Sequence, residues 1–418
     1  MKILIISQYF YPEQFRVSDV AFRLAALGHE VTVLTGLPNY PSGRIFKGYE
    51  WKVLKSNSGG SGKYEPKLDA FLQEINGVNV IRCKLYPRKK GKLNLARNYI
   101  SFAYHSSILA NSMVKAGYEF DKILLFQYSP VTMALPGILL SKKLKIPLFF
   151  YCFDLWPESI VSAGLPNRGF VYSILLYLSR WLYNKADMIL ISSKNFRGYF
   201  HNKLRIYSDI KYLPIYAEDV FTRSADTYLN DIDSDSSENV NLLFAGNVGE
   251  MQSVETIIKA ADLLRNRSGI HFHIVGDGSS LEKNVHLAKI LRLTNITFHG
   301  RFPLDEMPKF YSMADAFLVT LKKDAFISYT LPGKVQSYMA SGKPILASID
   351  GEAFDVINES GCGLCCEAEN FEAFSKIIIQ FAEEKIESRR KYGDSAKTYY
   401  NNNFSAESFM RSLLNILG

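Results

Sequence analysis

The chain has 418 residues, 47% of them apolar and 13% aromatic, with a formal net charge of +8. That is length and apolar content for two or three packed domains, and it excludes a disordered or fibrous chain. No run of eighteen uninterrupted apolar residues occurs, and Met1 to Phe10 leads directly into a strand pattern, so neither a membrane span nor a signal peptide is predicted and a cytoplasmic location is expected.

The charge is unevenly placed. Residues 1 to 220 carry 29 Lys+Arg against 15 Asp+Glu, and residues 221 to 418 carry 20 against 26. In chain order, KILIIS (Lys2 to Ser7) is a continuous apolar strand of the kind buried on both faces of a parallel sheet. A helical stretch from Val17 to Leu27 ends at Gly28, and HEVTVLTG forms the next strand. The loop between, Tyr9 to Arg16, lies at the carboxyl end of the first strand, where open α/β sheets bind ligands. Glu13 and Arg16 are therefore candidate acceptor-side contacts.

The loop Asn39 to Trp51 is aromatic without periodicity and reads either as an acceptor-side loop or as packed surface. Ser56 to Gly62 is linker-like, and the stretch on to Gln73 reads as an insertion before the strand VNVIRC. Arg82 to Arg97 holds seven basic residues, no acids and interleaved Leu and Tyr. No nucleic-acid-binding pattern accompanies it, so an anionic membrane face fits better than nucleic acid, with a merely solvated surface as the plain alternative.

A helix from Asn94 to Lys115, the strand KILLFQ, a helix from Val131 to Lys143 and the strand PLFFYCFD continue the alternation expected of a doubly wound parallel sheet. DLWPESIVSAGLP follows that last strand, which places Asp154 and Glu158 for ligand work; the alternative for Asp154 is a helix N-cap. Phe170 to Asn184 is a strongly aromatic helix, either core or membrane-contacting, and ADMILISS is another strand.

The acidic run Ala225 to Asn239 marks a domain boundary. Its Asp231, Asp233 and Asp235 form DxD patterns, but in a linker with no strand before them no metal is expected there. A second α/β series follows, with strands at NLLFAGNVG, HFHIVGDG, ITFHGR and ADAFLVTL. Gly246 to Gly249 and Gly276 to Gly278 each sit between a strand and a helix, where glycine lets backbone approach a phosphate closely. In Ser328 to Pro344, Pro332 and Gly333 open a helix whose free N–H groups and dipole face an anion, with Lys334 beside them. An ordinary helix entry is the bland alternative. The five cysteines, Cys83, Cys152, Cys362, Cys365 and Cys366, suit no disulfide framework, and the last three read as a hydrophobic turn.

GHEVTVLTG, DLWPES, AGNVG with Gln252, IVGDG, FHGRFPLDEMP and above all LPGKVQSYMASGKPIL resemble the GT-B glycosyltransferases of family 4. DLWPES with KVQSYMASGKP is similar to the bacterial surface-polysaccharide branch, near the L-fucosamine and colanic acid transferases. The resemblance covers nearly all of the chain outside residues 56 to 73. It implies two Rossmann-like domains facing a central cleft: an acceptor domain over 1–215, an acidic linker over 216–240, a nucleotide-sugar domain over 241–400, and a terminal helix over 401–418 that crosses back.

By the same resemblance the donor site comprises Gly246, Asn247, Gly249, Gln252, Gly276, Asp277, Gly278, Arg301, Thr330, Gly333, Lys334, Gln336 and Ser337. The catalytic groups are Asp154, Glu158 and Lys334, and no metal or cofactor is needed. Two features depart from the family. The Glu–seven residues–Glu pattern falls on Tyr329 and Ser337, leaving Gln336 or Ser337 as substitutes for the ribose contact. The phosphate-clamping Arg and Lys are replaced by Asn247 and by Gln252 or its neighbours. The implied reaction retains configuration, moving a sugar such as an N-acetylated deoxyhexosamine from a UDP-sugar to a polyprenyl-diphosphate-linked saccharide at the cytoplasmic face of the inner membrane. A nucleotide-sugar epimerase of the same fold and a non-catalytic nucleotide-binding subunit are the alternatives.

Overall fold

The structure is a computed structural model that describes residues 1–51, 70–161, 164–222, 239–324 and 326–418. The Ser56 to Gly62 linker and the aspartates Asp231, Asp233 and Asp235 lie outside the described residues. The chain divides into two compact units. The first comprises Met1–Ser192 and Phe196–Tyr212 with Leu417; the second comprises Ser193–Asn195, Leu213–Ile416 and Gly418.

The first unit is built on an eight-stranded sheet. Its strands are β1 (Lys2–Ile6), β2 (Glu30–Gly36), β3 (Phe71–Ile75), β4 (Val78–Cys83), β5 (Lys122–Gln127), β6 (Leu148–Cys152), β7 (Met188–Ile191) and β8 (Asp209–Tyr212). Their order is β3-β4-β2-β1-β5-β6-β7-β8, parallel throughout except for the β3/β4 pair. The central strands are apolar along their whole length because helices cover both faces; Ile3 to Ile6 and Ile123 to Phe126 are fully buried.

Contrary to the sequence-based expectation, Phe71 to Gln73 belongs to a strand and not to an insertion, since β3 returns on β4 as an antiparallel hairpin. The turn is Asn76–Gly77, with φ of +49° and +76°, the left-handed pair that a two-residue hairpin requires and that Asn-Gly favours.

The second unit is an all-parallel six-stranded sheet of β9 (Val240–Ala245), β10 (Ile270–Val275), β11 (Ile296–Gly300), β12 (Ala316–Thr320), β13 (Ile345–Ser348) and β14 (Gly363–Cys366), in the order β11-β10-β9-β12-β13-β14. Alternate residues of β9 feed opposite layers: Leu243 and Ala245 join Val335, Tyr338 and Met339 on one side, and Leu242 and Phe244 join Ile257, Ala261 and Phe374 on the other. The expected hydrophobic turn at the last three cysteines is instead an edge strand, in which Cys365 and Cys366 pair with Ala347 and Ser348. All five cysteines are free thiols.

Candidate active site

In the second unit the central feature is the helix Gly333–Ala340, which opens at Pro332 in extended conformation. Residues four apart share a helix face, and Lys334 and Tyr338 both point at β9. The Tyr338 hydroxyl donates to the Ala245 carbonyl and accepts from the Ala245 amide, each at 2.9 Å. Its ring stacks on Phe317 with centroids 4.1 Å apart. One turn earlier, Lys334 Nζ lies 3.9 Å from the centroid of the Phe244 ring and beside Gly246.

That ammonium group is buried and has no hydrogen-bond partner among the described residues. Burial alone lowers its pKa from 10.5 to about 7. A cation–π contact offsets part of the desolvation, but the remaining cost is the kind an incoming anion cancels. The contrast with neighbouring lysines is sharp. A polar pocket of about 300 Å³ next to Gly249 is lined by Lys259, Lys283 and Lys322, and these are already paired with Glu255 and Glu250 at 2.6 to 3.0 Å.

The glycines divide into two kinds. Gly333 has nothing within 4 Å of where a Cβ would stand, and Gly246, at φ +139°, faces only Lys334. Gly276, at φ +144°, instead abuts the Gly246 carbonyl, Gly278 abuts the backbone of Val248, and Gly249 abuts the Asn247 side chain. The amide of Val248 donates to the Asp277 carbonyl at 2.9 Å and that of Ser280 to the Val248 carbonyl at 3.0 Å. Gly276 and Gly278 therefore have a packing reason to be glycine, at the contact between these two loops.

Asn247, Asp277 and Arg301 are exposed at strand ends, and Thr330 is half-buried. Gln252 keeps its side-chain oxygen buried without a partner. Gln336 is buried, and its amide end faces the carbonyls of Pro332 and Gly333, which only its nitrogen can satisfy, at 3.0 and 3.2 Å once so assigned. Ser337 donates at 3.3 Å to Glu218, a carboxylate that sequence reasoning did not connect with this helix.

In the first unit, Asp154 follows β6. Its Oδ2 accepts from the Ser129 hydroxyl at 2.9 Å, and the Trp156 indole donates to the same hydroxyl at 3.0 Å. Burial raises the Asp154 pKa; the Ser129 hydrogen bond and the Arg88 charge pull it partly back. Arg88 in turn donates to the Tyr9 hydroxyl at 2.7 Å and lies over the rings of Tyr40 and Tyr99.

The other predicted carboxylates do different work. Glu158 is buried, its Oε1 accepting from Tyr172 at 2.7 Å and Tyr199 at 2.9 Å. Both partners are tyrosines outside the Asp154 hydrogen bonds, and both bind the same oxygen. Glu13 is also buried, accepting from the amides of Asn39 (2.8 Å), Tyr40 (2.7 Å) and Phe10 (3.3 Å). It joins two loops and is no free substrate ligand; burial raises its pKa despite those donors. Arg16 opens the helix Arg16–Ala26 and its charge acts on Tyr128.

Ser129 and Arg88 escaped the sequence reading. Ser129 follows β5 and carries the strand-end signal that marked Asp154. Arg88 was one of seven basic residues in its run, and nothing local separates it from them. The structure does: Arg82 is fully buried, donating to Gln73 and to the carbonyls of Gly36 and Tyr11, whereas Lys89, Lys90, Lys92 and Arg97 are exposed.

Two families match the chain: Glycosyl transferase 4-like domain over residues 14–214 and Glycosyl transferases group 1 over residues 230–399. A protein of Escherichia coli described as a colanic acid biosynthesis glycosyl transferase, WcaI, is 25% identical over 435 residues, covering 99% of each chain. A protein of Pseudomonas aeruginosa described as a glycosyltransferase, WbjE, is 26% identical over 373 residues, covering 82% of this chain and 91% of its own. Among solved structures, Anabaena Alr3699/HepE in complex with UDP and glucose superposes with a TM-score of 0.67 at 15% identity, covering 100% of this chain and 99% of that one.

Proposed function

We propose that this chain, which belongs to the GT-B glycosyltransferases with GT4-like and group 1 domains, moves a sugar from a UDP-sugar to a polyprenyl-diphosphate-linked saccharide. The pathway is surface-polysaccharide synthesis, in line with the name of the Escherichia coli relative, of the O-antigen or capsule type, and the donor sugar is an N-acetylated deoxyhexosamine such as L-FucNAc. The second unit binds the donor and the first the acceptor.

The observation that carries this reading is the buried, unpartnered Lys334 ammonium beside Gly246, at the opening of a helix. As the bond from the anomeric carbon to the diphosphate oxygen breaks, its electron pair stays on that oxygen. Lys334 and the free first-turn amides at Gly333 stabilise the charge. The acceptor oxygen bonds to the same face of the anomeric carbon, which retains configuration, and its proton passes to the departing phosphate. Asp154, with Ser129 fixing its carboxylate, orients that hydroxyl. Glu218 supplies the ribose contact that Tyr329 and Ser337 lack, and no metal takes part.

The test is a panel of UDP-sugars incubated with and without a polyprenyl-diphosphate acceptor. Acceptor-dependent release of UDP with formation of a glycolipid is expected. An isomerised sugar from donor alone would establish the epimerase, and nucleotide binding without release in either arm would establish a non-catalytic subunit.

A further inference from the structure

The sheet of the first unit carries an outer face that the transfer reaction does not use. Strands β4, β5, β6 and β7 advance in one direction across the sheet. Right-handed crossovers then put the connecting helices Lys92–Lys115, Leu135–Leu144 and Phe170–Tyr183 on the same side. The first and third both pack against the turn Val131–Ala134, and Lys92 Nζ donates to the Gly164 carbonyl at 3.1 Å.

Each of these two helices shows solvent an apolar stripe. Leu93, Ile100, Tyr104 and Ile108 follow one face of the first, and Phe170, Ile174, Tyr177 and Trp181 one face of the other. Ile100 is 68%, Phe170 81% and Tyr177 73% exposed. With Val171, the stripes hold nine of the seventeen exposed large apolar side chains among the described residues. A folded exterior scatters such side chains singly, and concentration marks a binding surface.

The charges on this face have one sign. Residues 82–115, 135–145 and 164–185 contain no Asp or Glu, while Lys92, Arg97, Lys142, Lys143, Arg180 and Lys185 are exposed. Lys185 lies 5.5 Å from the centroid of the Trp181 ring. A second copy of the chain would set like charges against each other.

We propose that this face is a docking surface for an anionic lipid bilayer. The aromatic and aliphatic stripes enter the headgroup and acyl boundary, and the Lys and Arg side chains meet lipid phosphates. Among the described residues no helix is long and apolar enough to cross a membrane, so the protein lies on the bilayer by this face. The inference deepens the reading of a lipid-borne acceptor and rests on it for its purpose, while its evidence is independent of the donor site.

Sedimentation of the full chain with phosphatidylglycerol/phosphatidylcholine vesicles tests it. Binding is expected to weaken by about tenfold or more with salt, and likewise with Ile100→Asp/Tyr104→Asp or Phe170→Asp/Tyr177→Asp. Ile290→Asp, at an exposed apolar position in the second unit, should change nothing. Circular dichroism checks the fold, and Lys92→Glu/Arg97→Glu gives an independent charge variant should an apolar one fail to fold. All variants should keep a UDP-dependent thermal shift; its absence in wild type, with vesicle binding intact, would count against the transfer reading alone. The proposal is overturned by wild-type protein that ignores anionic vesicles, by folded variants that bind them undiminished, or by a vesicle-free dimer that the same variants dissociate.

Discussion

Lys334 and Asp154 are both half-buried ionisable residues, one in each unit, and burial shifts each pKa toward its neutral form, down for the lysine and up for the aspartate. They differ in what surrounds them. Asp154 has the Ser129 hydroxyl and the Arg88 charge to moderate its burial, whereas Lys334, among the described residues, has only the face of Phe244. A carboxylate already hydrogen-bonded is held in place. An ammonium left without an acceptor is held ready for one, since an unpaired buried charge is among the costliest features a fold retains. Glu13 and Glu158 add a second contrast: carboxylates that share a place at a strand end differ in their hydrogen-bond partners, backbone amides for Glu13 and tyrosines for Glu158.

Substitutions can break that contrast in graded steps. The largest loss is expected from Lys334→Ala, about 10²–10³ in kcat/KM measured by UDP release, since it removes the cation proposed to meet the leaving group. A change of under threefold would show that the lysine is bystander structure. Asp154→Asn should lower turnover by roughly 10² while leaving the UDP-dependent thermal shift intact; a lost shift would instead place Asp154 in donor binding. Glu218→Gln should act mainly through KM for the donor, raising it by about tenfold for one weakened charged hydrogen bond, with kcat little changed. Tyr338→Phe, which removes both bonds to Ala245, should destabilise by about 1–2 kcal/mol, read as a lowered melting temperature with a smaller effect on rate.

The same lysine makes a prediction about the ligand-free protein. Its pKa is lower folded (about 7) than at its ordinary value of 10.5, so the unfolded chain binds more protons between those limits. The Lys334 contribution to stability therefore rises as pH increases from about 7 to 10.5 and is lost as pH falls. Lys334→Met should flatten that part of the thermal-stability profile.

The second unit's sheet was largely legible because parallel strands buried on both faces read as unbroken apolar runs, as in FLV of β12 and ILA of β13. What escaped lay at the sheet edges. β3 was obscured by its approach from a linker-like stretch, although Asn76–Gly77 is a strong hairpin signal. β14, GLCC, is too short and too small in side chain to show a period. The helix entry at Pro332 to Lys334 could be read because its chemistry is local: Pro, Gly and Lys stand in sequence. Glu218 could not, because its approach to Ser337 spans more than a hundred residues and depends on tertiary packing. Local pattern was also blind to Glu13, whose three amide partners come from two separate loops.

The central claim is that Lys334 waits partly deprotonated for a diphosphate. Calorimetry of UDP binding at about pH 8, in buffers of different ionisation enthalpy, tests it most directly. Diphosphate raises the lysine's pKa, so wild type should take up about one proton per UDP bound, and Lys334→Met none. UDP binding with no proton uptake in wild type, or with equal uptake in the variant, would contradict the account.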